Sequence, residues 1–269
     1  MFFGGAGVST ASGIPDFRSA DGLYSIGATG SAVPEGGAGG PDVSEDGAGN
    51  ASAQPGTIGG NVSARRGLSP EDILSATYFA LHTKEFYDFY RAHMVYPNAQ
   101  PNACHRYLYE LEKQDKLRAI VTQNIDGLHK RAGNKRVYEL HGSIYENYCV
   151  QCETEYPLEK ITETDGVPRC DKCGGIIKPW VVLYGEAPDK YTMIGACREI
   201  SGADLMIVAG TSLSVEPAAS LIEYFGGRDL VVINKEATPA DEKATLVIRD
   251  DVASIFEELA IKNKERQQA

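Results

Sequence analysis

Residues 204–212 read "DLMIVAGTS": an acid, five apolar residues, then Gly210, Thr211 and Ser212. An apolar run that closes on small polar residues marks a strand buried on both faces, because helices cover both sides of a parallel sheet. Two other stretches repeat the form. "LRAIVTQN" at 117–124 ends in Gln123 and Asn124, with Asp126 just beyond, and "DLVVINK" at 229–235 ends at Asn234 and Lys235. Helical patterns lie between them, which defines an α/β chain with a parallel sheet. Such sheets bind ligands beyond the carboxyl ends of their strands. Each of the three runs sends polar groups to that edge, so one shared cleft is expected.

Upstream of these strands, Ser69-Pro70-Glu71-Asp72 is an N-cap with proline at the first helical position and an acid in the first turn. Helices are predicted over 71–81, 84–94 and 101–113. At the other end, "ATLVIRD" (244–250) predicts a last strand and 252–264 a closing helix. Residues 28–67 are rich in Gly, Ala, Ser and Pro and contain no aromatic residue. That composition cannot offset its ordering entropy by burial, so a flexible insertion is predicted there.

The net charge of −11 argues against a nucleic-acid partner, since phosphate binding needs clustered Lys and Arg. A lysine-bearing peptide remains compatible with it. No stretch reaches 18 apolar residues, so no membrane span is expected. The six cysteines are two CxxC pairs plus Cys104 and Cys197, a usage suited to a reducing cytoplasm.

The pairs are Cys149/Cys152 and Cys170/Cys173, seventeen residues apart. Each pair places two thiolates on one tight turn, and together they make a closed tetrahedral set for structural Zn²⁺. Near the N-terminus, "GGAGVSTASGIPDFR" (4–18) begins like a dinucleotide loop, but Thr10 stands where a third glycine would complete GxGxxG. A plain strand-to-helix turn explains those glycines equally well. Asp16, Phe17 and Arg18 follow, an acid, a ring and a guanidinium suited to a ribose, a heterocycle and a pyrophosphate. His141 in "ELHGS" could serve as a general base near neutral pH. His82, His93, His105 and His129 are read as structural or surface residues.

In their order along the chain, "GAGVSTASGIPDFRS", "TQNIDGLH", "ELHGS", the double CxxC, "GTSL" with "EPAASL", and "VVINK" resemble the sirtuins. These are NAD-dependent protein-lysine deacylases, and the bacterial deacetylase branch is the nearest likeness. The resemblance implies a Rossmann-like parallel sheet domain from residues 1–27, 114–143 and 183–269. A smaller inserted zinc-ribbon/helical domain would comprise a helical part, 68–113, and a zinc-binding module, 144–182. It further implies a pyrophosphate near Gly5, Ala6 and Gly7, with Thr10, Asp16, Phe17 and Arg18 also touching NAD. Ribose contacts would fall at Thr211, Ser212 and Asn234, carboxamide contacts at Ile125 and Asp126, and further cofactor contacts at Gln123, Gly210 and Val252. Catalysis would rest on His141, Asn124 and Asp126. An acetylated-lysine protein would lie along Val182, Tyr184, Gly185 and Glu186, yielding nicotinamide and O-acetyl-ADP-ribose.

Three departures from that pattern carry expectations. Tyr87 is followed three places on by Tyr90, where desuccinylating relatives have arginine; Arg91 falls about 100° further round the helix and should point elsewhere. Succinyl groups are therefore expected to be disfavoured. Trp180 follows Pro179 where the family usually has an acidic or amide residue, and it reads either as groove edge or as packing on the zinc module. Only Phe2 and Phe3 precede the glycine loop as strand, so the chain reads as N-terminally truncated, with a weakened sheet and loop. The rival readings are an NAD-dependent oxidoreductase and a sirtuin-like module that binds NAD or acyl-lysine without turnover.

Overall fold

The computed structural model describes residues 1–17, 22–24 and 67–268. Arg18 and, apart from Gly67, the expected 28–67 insertion lie outside the described residues. Among the described residues nine strands run in chain order: β1 (Phe2–Gly4), β2 (Ile120–Thr122), β3 (Val137–Glu139), β4 (Gly142–Cys149), β5 (Glu155–Tyr156), β6 (Ile177–Val181), β7 (Leu205–Ala209), β8 (Asp229–Ile233) and β9 (Leu246–Ile248). The described helices are α1 (Pro70–Ile73), α2 (Ala76–Leu81), α3 (Thr83–His93), α4 (Ala103–Lys113), α5 (Leu128–Arg131), α6 (Glu159–Thr162), α7 (Lys190–Ser201) and α8 (Val252–Gln268).

Six strands form the expected parallel sheet in the order β3-β2-β1-β7-β8-β9. Its centre is β1, whose three residues pair on both sides: Phe2 with Ile120 and Ile207, Gly4 with Thr122 and Ala209. The terminal amine of Met1 extends the pairing by donating to the Leu205 carbonyl at 2.7 Å. Successive strand residues face opposite sides of a sheet. Phe3 therefore packs with Val121, Val208 and Ile200 of α7, while Phe2 packs with Ile120, Leu108 of α4 and Phe256 of α8. Both phenylalanines are fully buried. A third core joins α1 to α3 with β4 and β6 through Ile73, Phe86, Tyr87, Tyr90, Ile144 and Ile177.

The helix expected over 71–81 is two helices. Ser75 interrupts it: its backbone bridges to Tyr184, with Ala76 N–H donating to the Tyr184 carbonyl and Tyr184 N–H to that of Leu74, both at 3.0 Å. The Ser75 hydroxyl then caps α2 by accepting from Tyr78 N–H at 3.1 Å. Two tertiary backbone bonds thus take the place of helical bonding at this point. The predicted 101–113 helix starts at Ala103, since Asn102 is its N-cap with a reciprocal bond to His105. The closing helix runs past 264 to Gln268.

The glycine loop also departs from expectation. Instead of opening an α-helix it makes two 3₁₀ turns, Ala6–Val8 and Thr10–Ser12. Gly7 N–H donates to the Gly210 carbonyl at 2.9 Å and Gly5 N–H to that of Ala209 at 3.2 Å. A Cβ on Gly7 would stand 2.8 Å from Gly210 Cα. Gly210, at φ 58°, would in turn drive its own Cβ to 2.5 Å from Val8 N. These glycines let the loops after β1 and β7 touch backbone to backbone.

Candidate functional site

Over the carboxyl ends of the sheet lies a cavity of about 580 Å³. The loops after β1, β2, β7 and β8 form one side of it, and α3 and the 181–186 segment form the other. Of the residues expected to hold a cofactor, Ala6, Gly7, Thr10, Asp16, Phe17, Gln123, Ile125, Gly210, Thr211, Ser212, Asn234 and Val252 line it. So do Asn124, Asp126 and His141, and the substrate candidates Val182, Tyr184, Gly185 and Glu186. Gly5 stands behind the wall, where its carbonyl accepts from Asn124 Nδ2 at 3.1 Å.

The polar centre is a network that the sequence motifs only half announce. Ser9 Oγ donates to Asp126 Oδ2 at 2.6 Å and accepts from Asn124 Nδ2 at 3.1 Å. Leu128 N–H donates to the other carboxylate oxygen at 2.8 Å. Burial dominates at Asp126 and pushes its pKa up, against the lowering effect of these donors. Ser9, almost fully buried, was not among the expected site residues. The signal for it was its place inside the glycine loop, opposite Asn124 and Asp126 only once the sheet forms.

His141 is fixed at both ends. Its Nδ1 bonds the Gln123 carbonyl at 2.9 Å, and its own carbonyl accepts from Val182 N–H at 3.0 Å. A carbonyl can only accept, so Nδ1 carries the proton and Nε2 is left as a base. Burial lowers the His141 pKa, partly offset by that bond, which keeps the ring neutral at pH 7. The following Gly142 has φ 78°, and a Cβ there would lie 1.9 Å from the Trp180 carbonyl. No other residue lets β4 approach β6 this closely.

Across the cavity, Gln123 Nε2 donates to Thr211 Oγ1 at 3.0 Å and ties the β2 and β7 ends together. Ser212 and Ser214 share a hydroxyl bond at 2.8 Å, and Asn234 Nδ2 donates to the Glu236 carbonyl at 2.9 Å. The Phe17 ring packs against Tyr24 at 5.9 Å, and Tyr24 Oη meets Tyr184 Oη at 2.8 Å. Glu186 has a supporting bond as well: it accepts from the buried Lys178 Nζ and from Leu183 N–H, both at 3.0 Å.

The helix α3 supplies wall residues that were not expected. Tyr90, His93 and Met94 line the cavity; His93, read above as structural or surface, is a wall residue. His105 and His129 are buried away from it, with ring centroids 4.6 Å apart. Arg91 faces away as expected, with Nε donating to the Ile161 carbonyl at 2.8 Å and another guanidinium nitrogen to that of Gly166. Trp180 is half exposed and packs edge-on against Tyr148 at 5.1 Å; it is not a wall residue.

Beyond the cavity, Cys149, Cys152, Cys170 and Cys173 bring four Sγ atoms within 4.8 Å of one another. Contacts of 3.4–3.5 Å exclude disulfides, whose sulfurs lie about 2.05 Å apart. A tetrahedron with bonds of about 2.3 Å spaces its sulfurs at about 3.8 Å, so the set fits zinc. Backbone N–H groups of Gln151 and Lys172 point at Cys149 and Cys170 Sγ. Tyr156 Oη donates to Cys170 at 3.1 Å and draws that thiol down to about 6, toward the thiolate a metal requires.

Fold and site together define an α/β protein with a ligand cleft at the carboxyl edge of a parallel sheet and a structural four-cysteine zinc module. The Sir2 family profile matches residues 5–33 and 61–217, and the gap falls inside the glycine-rich stretch. A Clostridium perfringens NAD-dependent protein deacetylase is 47% identical over 257 residues, covering 95% of this chain and 91% of that one. The Cutibacterium acnes NAD-dependent protein deacetylase is 45% identical, covering 93% and 87%. A solved Sir2–p53 peptide–NAD+ complex superposes with a TM-score of 0.74 at 34% identity, covering 98% and 92%. Another, Sir2 bound to acetylated peptide, gives 0.73 at 34%, with the same coverage. The chain belongs to the Sir2 family.

Proposed function

We propose that this cavity carries out NAD-dependent deacetylation of lysine in protein substrates. The observation that carries the reading is the His141 ring, neutral and tautomer-locked by Gln123, in one cavity with the Asn124–Ser9–Asp126 network. NAD, when bound, supplies an electrophilic ribose carbon and nicotinamide as the leaving group. Its phosphates and riboses would lie along Ala6, Gly7, Thr211, Ser212 and Asn234. Asn124, with its NH₂ engaged by Gly5 and Ser9, keeps its carbonyl oxygen free to orient a sugar hydroxyl. Asp126 is set to hold the carboxamide, and Phe17 covers that end of the cavity.

His141 Nε2 takes the proton of a hydroxyl brought against it, a role that needs the unprotonated ring. The acyl-lysine enters along Val182 to Glu186, where the Tyr184 backbone is clamped by Leu74 and Ala76. Holding two reactants and one base in a single cavity supplies much of the rate through effective molarity. Zinc maintains the module and takes no part in bond changes. Arg91, turned toward Ile161 and Gly166, gives a succinyl carboxylate no partner, so neutral acyl groups are preferred.

Of the residues assigned to the smaller domain, 68–95 and 144–182 share a separate core, whereas Cys104 and Leu108 of α4 pack with Phe2 and Phe256 on the sheet side. No described helix is long and apolar enough to cross a membrane. A cytoplasmic setting is proposed on the six free thiols, which suit a reducing compartment. The test is mass spectrometry of an acetyl-lysine peptide incubated with the zinc-loaded protein, with and without NAD. O-acetyl-ADP-ribose that appears only with NAD is the expected result. NADH formation in its place, or no product from folded protein, would defeat the reading.

A further inference from the structure

The helix α4 supplies no wall of the cavity, yet its N-cap reaches the glycine loop from behind. Asn102 is buried, and every polar atom of its side-chain amide is engaged. Oδ1 accepts from Cys104 N–H at 3.0 Å, which is the capping bond. Nδ2 donates to the Val8 carbonyl at 2.7 Å and to Ser12 Oγ at 3.0 Å. The Asn102 backbone N–H donates to His105 Nδ1 at 3.2 Å. The cap fixes which way the amide faces, because a flip would set Oδ1 against the Val8 carbonyl, two acceptors with no proton between them.

A cap alone does not call for an amide. Serine or aspartate ends a helix as well, and Ser69, Ser75 and Asp189 do so elsewhere in this chain. What the amide adds is a pair of donors, and both go to the loop. Other carbonyls of that loop are met from inside it: Ala6 by Ser9 N–H at 3.0 Å, Ser9 by Ser12 N–H at 2.9 Å and Thr10 by Gly13 N–H at 3.0 Å. That of Val8 is met from Asn102, 94 residues away.

The consequence falls on Ser9. The peptide unit that joins Val8 to Ser9 is planar. It is held at two corners, its carbonyl by Asn102 and its N–H by the Ala6 carbonyl. Those two bonds fix the direction in which the Ser9 side chain leaves the backbone. Ser9 Oγ then meets Asp126 at 2.6 Å and Asn124 at 3.1 Å.

We propose that Asn102 is a positioning residue for NAD. It sets the Val8–Ser9 peptide so that Ser9 holds Asp126 and Asn124 in the geometry the cofactor meets. The inference rests on the NAD reading of the cavity, and Asn102 itself does not line that cavity.

Calorimetric titration of the full zinc-loaded chain with NAD and, separately, with an acetyl-lysine peptide needs no turnover. Asn102→Ser keeps the cap and removes both donors. Its NAD dissociation constant is expected to rise about tenfold, with the peptide constant and zinc content unchanged. Asn102→Asp keeps the size as well as the cap and should lose at least as much, since an acceptor then faces the Val8 carbonyl; it decides the matter if the serine variant folds poorly. In a Ser9→Ala background, Asn102→Ser should weaken NAD by less than about twofold, because the residue it acts through is gone. An unchanged NAD constant in the variants overturns the proposal. So does an equal loss of peptide binding, or an undiminished loss in the Ser9→Ala background, either of which makes Asn102 a structural cap. Product formation by wild type is followed in parallel. Product without an Asn102 effect sinks the inference alone, while the effect on NAD binding without product supports it and sinks the enzymatic reading.

Discussion

The cysteine module and the cavity are both sites, but the chain builds them in opposite ways. The module's four ligands come from 25 consecutive residues, Cys149 to Cys173, and two tight turns bring them together. The cavity gathers residues from positions 6 to 252, and the contacts that join its walls are long-range: Ser9 to Asp126 and Gln123 to Thr211 each span a long separation. Spacing alone can specify a metal site, whereas a cavity needs the sheet to exist first. The module should therefore depend on its metal, and the cavity on the packing of β1, β2 and β7.

The largest expected effect breaks the module. Substituting Cys170→Ala, or stripping the metal with a chelator, removes a ligation energy on the order of 10 kcal/mol in small zinc domains. Bound zinc should fall to none and activity should vanish, because Tyr184 and Val182 are paired to the module's neighbours. Elemental analysis with a peptide assay checks it, and retained activity without zinc would disconnect the two regions. Next, His141→Ala should cut kcat by about 10²–10⁴-fold with little change in melting temperature. A matching loss of stability would make His141 a packing residue.

Acid should act on the sheet side through buried histidines. His105 is pushed down to about 4 by burial, and His129 and His141 are lowered as well. A histidine whose folded pKa lies below its unfolded 6.5 leaves the unfolded state binding more protons in between. Stability is then full above about pH 6.5 and falls as pH drops toward 4, by about 3 kcal/mol for His105 alone. Urea unfolding across that range measures it, and His105→Phe should flatten the slope. Activity should fall in the same direction as His141 becomes protonated.

Ser9→Ala sharpens the comparison within the cavity. It removes a donor from the buried Asp126 carboxylate, a cost of about 1–3 kcal/mol, and should raise the Asp126 pKa further while slowing turnover about tenfold. Zinc content should not change. The smallest effect is expected at Trp180→Ala, whose ring packs on Tyr148 across the β4–β6 pair of the module. A peptide KM raised a few-fold at constant melting temperature would mark a groove residue. A melting shift alone, on the order of 1 kcal/mol, would mark packing.

Much of this was legible beforehand because it is local or repetitive. Apolar runs ending in Gln123-Asn124, Gly210-Thr211 and Asn234 announced the parallel strands and the edge they serve, and CxxC spacing announced the module. The break at Ser75 was hidden, since it arises from pairing with Tyr184 more than a hundred residues on. Ser9 and the α3 wall were hidden for the same reason. Nothing near Ser9 or Tyr90 in the chain says which group will stand opposite.

By itself, then, the sequence determined the parallel α/β class, the position of the binding edge, the cysteine set and the groups available for chemistry. Each follows from short-range pattern: period, strand-end chemistry and ligand spacing. Only the tertiary structure decided that the glycines of the first loop serve backbone contact with Gly210, and that Ser9 holds Asp126. It also decided that Asn102 holds the Val8 carbonyl behind that loop. These depend on which surfaces meet when two cores close on each other, and a one-dimensional pattern carries no record of distance across that gap.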